Sequence, residues 1–396
     1  MTLLTRRQSV GLKLESPAGT PATFDDISHF PFAVKDVEFS PNIQQVERDF
    51  FRDSGGRLPS LTGVRPGTIS FTSELLGSGD HTATEPAIAL LFKACGMQSR
   101  VLEEISIGPV ANGPFLAGDT ITGSTSGETA IVAKTTYSGE SKMYVHSVSG
   151  AFVSESITGT TGTTNPSTSG GGDASVVGFV YTPRFTGYDN YSCAVQMGTQ
   201  ASGANNALQV TLSGALGSFD LSTSVGNFCE VRATFQGGVE DPEDVATFYG
   251  SGTDSVSATP PQFFDANVRT LGNDLVNVSS QSMSLGGNVR VPTGSIGPTG
   301  TSPAIFGDFE GASGSFDPLL GLTTEHNFFQ KWFDNETGVI EFTLGGTAGN
   351  QFIVQAPNAQ YGGNTPTDRD TLIAADIPLQ LNETSFKNDH IVILAI

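Results

Sequence analysis

Two stretches of the chain alternate residue by residue between apolar and polar side chains, and that period leaves little choice of backbone. In TGVRPGTISFTSEL (Thr62 to Leu75), Ile69 and Phe71 fall on one side and Ser70 and Thr72 on the other; FCEVRATF (Phe228 to Phe235) alternates in the same way. A period of two marks strands with one face on a core. Composition agrees. Only 15% of the 396 residues are charged, below the usual quarter, and Gly, Ser and Thr make up the difference. The expected fold class is mainly β.

Nineteen Lys and Arg stand against forty Asp and Glu, a net of −21. That balance argues against a protein that grips a polyanion through its phosphates. No window approaches eighteen consecutive apolar residues, so no membrane span or membrane anchor is expected. The start, MTLLTRRQSV, has Arg6 and Arg7 but no apolar run behind them, so it does not read as a signal peptide. Cys95, Cys193 and Cys229 are widely spaced in apolar settings and read as buried thiols rather than as a disulfide framework.

Four segments follow from the pattern. Residues 1–30 read as an extended N-terminal arm with little to bury. Residues 31–100 and 183–255 form a first domain. It contains a strand around Val37 to Phe39 (with Phe32 and Val34), the stretch 62–75, and a helix opened by Glu85-Pro86. Ile88, Leu91, Phe92 and Cys95 lie at helical spacing and Gly96 stops it. Its later strands are 208–212, 217–221 and 228–235. Residues 101–182 are rich in Gly, Ser and Thr and read as an inserted surface β domain. Inside it GPFLAGDTITGSTSG (113–127) echoes GAFVSESITGTTGTT (150–164), which reads as two related hairpins, with 164–173 as a flexible tip; chance similarity in a low-complexity stretch is the alternative. The polar linker 250–261 leads to a second domain, 256–396, which repeats the element order of the first: AIFGDF (304–309) for TISFTSEL (68–75), a short helix at 324–333 for 84–95, and strands 339–344, 350–355 and 371–381 for 208–212, 217–221 and 228–235.

The search for chemistry is mostly negative. There is no Walker-type loop, no His-Glu-x-x-His and no Gly-x-Ser-x-Gly elbow. The five His are scattered, no carboxylate pair stands out, and VEDPEDV (239–245) reads as a solvated turn rather than a calcium loop. No enzyme, metal or cofactor is expected. The basic residues are uneven, however: residues 1–110 hold ten of the nineteen, against thirteen acids. Arg48, Arg52, Arg57 and Arg65 cluster in and beside a long loop with Phe50 and Phe51, interleaved by Glu47, Asp49 and Asp53. The acids blunt any hold on phosphate, while Arg and aromatic residues are what protein interfaces enrich. The candidate contact residues are therefore Glu47, Arg48, Phe50, Phe51, Arg52, Arg57 and Arg65, with a plain solvated loop as the bland alternative.

KLESPAGTPA (13–22), VEFSPNIQQVERDFFR (37–52), LTGVRPGTISFTSELLGSG (61–79), EPAIALLFKACGM (85–97), GALGSFDLST (214–223) and CEVRATFQGG (229–238) together resemble the tail tube proteins of long-tailed (siphovirus-like) bacteriophages. The resemblance covers about 13–100 and 183–240, is weaker beyond 256, and leaves out the insert. It implies a tail-tube-type antiparallel β-sandwich or barrel with a flanking helix, duplicated here. Rings of that fold would stack into a tube through which DNA is ejected. It also implies that the loop Glu47 to Pro59 reaches a neighbouring ring, and that six folds close a ring, each lending four strands. Two folds per chain then make a homotrimer with pseudo-sixfold symmetry, a hexamer being the alternative. Implied partners are further copies of the chain, the tape measure, tail terminator and baseplate proteins, and DNA in transient, non-specific passage through an acidic lumen; the implied location is the virion tail tube, made in the host cytoplasm. The reading from another class is a β-sandwich host-binding or capsid-decorating virion protein.

Overall fold

The computed structural model describes residues 3–24, 34–50, 53, 56–82, 84–160, 167–171, 174–199, 206–246, 259–263, 267–271, 273–275, 277–295, 297, 299–385 and 388–396. Strand accounts for 53% of it and helix for 4%, in multiple antiparallel sheets with no closed barrel, so the chain is mainly β. The alternating stretches are strands with the expected faces: Ile69 and Phe71 are buried, as are Val231, Ala233 and Phe235, while Ser70 and Thr234 are half-buried on the opposite face.

The first part of the chain runs β1 (Leu3–Leu14), β2 (Val34–Pro41), β3 (Gln45–Val46), β4 (Leu61–Thr62), β5 (Pro66–Glu74), α1 (Ala89–Ala94) and β6 (Met97–Ser106). A small module follows with β7 (Val110–Ala111), β8 (Thr120–Gly123), β9 (Thr129–Val132), β10 (Lys142–His146), β11 (Glu155–Gly159) and β12 (Ser167–Gly171). The chain returns through β13 (Ser175–Pro183), β14 (Tyr191–Thr199), β15 (Ala207–Ser224), β16 (Glu230–Val239) and β17 (Glu243–Val245). The second part comprises β18 (Asn267–Thr270), β19 (Asn273–Leu275), β20 (Val278–Ser284), β21 (Val289–Arg290), β22 (Ile305–Phe306), β23 (Ser313–Pro318) and α2 (Phe328–Phe333). It ends with β24 (Thr337–Leu344), β25 (Phe352–Tyr361), β26 (Thr365–Arg369), β27 (Leu372–Asn382) and β28 (Val392–Ala395).

One order of pairing occurs twice. In the first unit the strands lie β1–β14–β15–β16–β5–β2. In the second they lie β18–β24–β25–β27–β23–β20, with β26 continuing β25 along β27. The helix falls in the same interval of each, and β17 flanks β15 as β28 flanks β25. Even the irregularities coincide: β14 slips against β15 between Tyr191 and Cys193, and β24 against β25 between Gly338 and Ile340. The pairings correct the expected matches. By them β24 stands for β14 rather than for 208–212, and GSFDPLLG (314–321), not AIFGDF, takes the place of ISFTSELLG (69–77).

Three further expectations fail for physical reasons. Residues 3–14 are no arm with little to bury: Val10 and Leu12 are fully buried, because β14, far along the chain, supplies their neighbours. The strands expected at 208–212 and 217–221 are one bent strand, β15, whose Gly214 has φ 58°, a conformation that favours glycine. The buried Glu15 carboxylate accepts from the Gly214 amide (2.7 Å), the Gly19 amide (2.6 Å) and the Ser192 hydroxyl (2.8 Å), and burial raises its pKa above the ordinary carboxylate value. The insert is also narrower than 101–182. β6 and β13 pair with each other and β13 with β28, so they extend the second unit's sheet; the module proper is 107–174, joined to β6 through β10. Part of the expected flexible tip is strand β12, paired with β11 and β7. The remainder of 164–173, apart from these strand residues, lies outside the described residues, as do Phe32 and most of the linker 250–261.

The echo within the module is visible in its pairing. Ile121, Thr122 and Gly123 face Gly159, Thr158 and Ile157, so the two Ile-Thr-Gly phrases pair with each other about a local twofold centred on Thr122 and Thr158. Phe115 and Phe152 are buried in one core with Ile121 and Ile157. Asp119 accepts from the Thr160 amide and hydroxyl; reciprocally, Glu155 accepts from Ser126 and the Thr125 amide, contacts that hold its pKa down to about 2. The module is anchored by charge. Lys134 lies 3.3 Å from both Glu140 and Glu341, Arg269 lies 2.8 Å from Glu140, and the side chains of Lys134 and Glu341 are nearly inaccessible.

Candidate assembly surfaces

At the centre of the molecule the two units share a sheet. The C-terminal half of β15 pairs with β20 from Asp220↔Ser284 to Ser224↔Ser280. This joins eight strands in the order β2–β5–β16–β15–β20–β23–β27–β26. One face of that sheet is core, with Phe71, Phe219, Phe235, Phe316 and Ile377 buried. Cross-strand rows define the other. One row reads Lys35, Thr72, Arg232, Asp220, Ser284, Ser313, Gln380; the next reads Glu74, Glu230, Ser222, Ser282, Ser315, Pro378. Short hydroxyl side chains fill six of these thirteen positions and no aromatic residue occurs in them. The charged groups of this face include the carboxylates Glu38, Glu74, Asp220, Glu230, Asp317 and Asp376 against Lys35, Arg232 and Arg369, with Lys35 bonded to Glu230 and Arg369 to Asp317. Such a face repels phosphate and offers no ring on which a base could stack.

Among the described residues the end strands of this sheet are β2, paired to β5, and β26, paired to β27. Lys35, Asp36, Glu38 and Ser40 are exposed on the first, and Thr365 to Asp368 on the second. Unpaired strand edges are templates for further pairing, and short, charged or Pro-containing edges restrict which partner can add. Pro366 and Asp368 serve that role on β26, as Lys35 and Glu38 do on β2.

The sequence-predicted contact residues lie on the hairpin that leaves β2 and returns to β5. Gln45 and Val46 pair with Thr62 and Leu61 as its stem. Glu47, Arg48, Phe50 and Arg57 are all exposed, Phe50 to 71%, and Arg57 donates to Glu47 at 2.8 Å within the hairpin. Phe51 and Arg52 lie outside the described residues. Arg65 is separated from the others: it sits half-buried at the base and pairs with Asp241, so its charge serves the fold. Sequence reasoning missed Ile43, Val46 and Leu61, exposed to 41%, 44% and 56% on the same hairpin; their clustering there was a usable signal.

Other chemistry is sparse. One cavity, of about 760 Å3, is lined by Phe185, Phe309, Asp308, Glu383 and His390, among others. Among the described residues no group of three or more His, Cys, Asp and Glu could hold a metal ion, and no helix is long and apolar enough to cross a membrane. Cys95, Cys193 and Cys229 are free, buried thiols whose pKa values burial raises. No protein-family model matches the chain, and neither does any curated protein.

Proposed function

We propose that this protein is the subunit of a hollow tube, built as in the tail tube proteins of long-tailed bacteriophages, from two copies of one fold in a single chain. The observation that carries the reading is the eight-strand sheet, in which two units of identical pairing order each supply four strands: one face core, one hydroxyl-rich and mildly acidic, with an edge at either end. Three copies, each pairing its β26 with the next copy's β2, close that sheet around a lumen with pseudo-sixfold symmetry; closed cyclic symmetry is the usual way to satisfy two complementary edges. The polar face then lines the lumen, where repulsion of phosphate lets DNA pass without being held. The role is structural, in the virion tail, with no catalytic step. Proteins that measure, terminate and anchor such tubes are the partners it implies.

The test is negative-stain microscopy of the purified protein followed by symmetry analysis. Stacked rings with threefold symmetry and a pseudo-sixfold wall are expected. Six whole chains per ring, with 256–396 outside the wall, would overturn the duplication. A monomer at every concentration would favour a host-binding or decorating β-sandwich.

A further inference from the structure

The hairpin of the second unit, which leaves β20 and returns to β23, is docked on the first unit. Pro303 closes on Gly214 and Gly19, where an added Cβ would come within 2.8 and 2.9 Å of it. The Ala304 amide donates to the Gly214 carbonyl at 2.7 Å, and the Asn190 side chain donates to the carbonyls of Ala304 (2.9 Å) and Gly214 (3.1 Å). Phe306 packs edge-on against Tyr188, and Ala304 and Phe306 are 1% and 5% exposed. The first unit's hairpin carries a related short phrase at the matching place, with Pro and Gly shared at its two ends: Pro59-Ser60-Leu61-Thr62-Gly63 against Pro303-Ala304-Ile305-Phe306-Gly307. It is exposed.

The surface on which the second hairpin docks also has a counterpart. The matching slips of β14 on β15 and β24 on β25 place Asn358 at the position of Gly214 and Thr337 at that of Asn190. There the second unit has a cavity of about 480 Å3, lined by Leu116, Tyr137, Leu271, Thr337, Pro357 and Asn358, among others. Tyr137 is held in place by the Arg269 guanidinium, 4.8 Å from its ring centre.

From these we infer that the stem of the hairpin 42–65 docks into this cavity on a second copy of the chain, with Pro59 and Ser60 at Asn358 as Pro303 and Ala304 lie at Gly214. The junction inside one chain is thus the template for the junction between chains, side by side around the ring. The inference rests on the proposed side-by-side assembly but makes a claim of its own, about which surface receives the hairpin.

The experiment mixes two chains that each carry one added cysteine, Ser60→Cys and Asn358→Cys, and bridges them with a short bis-maleimide; the three native thiols are buried. A band at the mass of two chains is expected from the mixture and not from either chain alone. A second variant, Asn358→Trp, fills the cavity and should lower association at least tenfold by analytical ultracentrifugation, with circular dichroism unchanged. Absence of the mixed band where rings are visible overturns the docking and leaves the tube reading standing. A mixed band without rings supports the docking and counts against the tube. Unchanged association of a folded Asn358→Trp chain also overturns the docking.

Discussion

The hairpin 42–65 and the hairpin running from β20 to β23 spring from equivalent strand pairs, yet they meet opposite fates. The second lies on the first unit with Val289, Ala304 and Phe306 buried; the first carries Phe50, Leu61, Val46 and Ile43 into solvent. Outer edges differ likewise. In the second unit β28 is covered by β13 and the module behind it, whereas β17 at the matching place in the first unit pairs with β15 alone among the strands described. The difference teaches that a repeated backbone plan need not give repeated surfaces. Covalent linkage settles one junction within the chain at high effective concentration, and in the proposed assembly the equivalent features at the outer ends would meet another chain.

The comparison can be broken most directly in the core. Phe71 and Phe316 occupy matched places and are 1% and 3% exposed. Changing either to Ala should cost about 3–5 kcal/mol in urea unfolding. A cost for Phe316→Ala under about 1 kcal/mol would break the equivalence of the units. Next in size is the charged anchor of the module on the second unit. Lys134→Ala leaves Glu341 buried without its cation; burial already raises that carboxyl's pKa, and the loss should be about 3 kcal/mol. The docked junction should respond more gently. Asn190→Ala removes donors to two buried carbonyls and should cost about 2 kcal/mol, while Thr337→Ala, its counterpart, should cost under about 0.5 kcal/mol in the isolated chain.

Acid should act on the module and the second unit. Burial holds His146 and His326 down to about 4, with Arg100 adding to the effect at the first and Lys331 at the second. The unfolded chain protonates both near 6.5 and the folded chain only near 4, so their stabilisation is full above 6.5 and is lost as pH falls from there to 4. Glu15 and Glu341, raised by burial, act in the opposite sense: their contribution is greatest below about 4.5 and falls as pH rises through their raised values. The measurement is therefore a difference. The drop in Tm between pH 7 and pH 5 should be smaller for the His146→Gln, His326→Gln double variant than for the unaltered chain. The smallest effect belongs to the exposed hairpin: Arg57→Ala breaks a pair open to solvent on both sides and should change stability by under about 0.5 kcal/mol.

What could be read from the sequence was whatever depends on near neighbours. The alternation in β5 and β16, the two short helices and the paired Ile-Thr-Gly phrases all express periods of a few residues. Gly96, expected to stop the first helix, has φ 76° just beyond it. Illegible were features whose cause lies far along the chain. β1 is buried by residues 191–199, and β15 looks like two strands because Gly214 bends it where Glu15 and Pro303 converge. The candidate contacts divided for the same reason: Arg48, Phe50 and Arg57 stayed exposed together, and Arg65 met Asp241, which no local pattern announces.

The seam between β15 and β20 is short, running only from Asp220 to Ser224. At the rise of a strand that is a lever of roughly 16 Å, and it fixes the tilt of one four-strand arc against the next. In the proposed ring the tilts at all junctions would have to add up to a full turn, and this seam would then act as a gauge for the width of the bore. A change that tilted it by a few degrees would leave every chain folded yet turn rings into open arcs or spirals. In the proposed assembly curvature, more than affinity, is what those five residues would control.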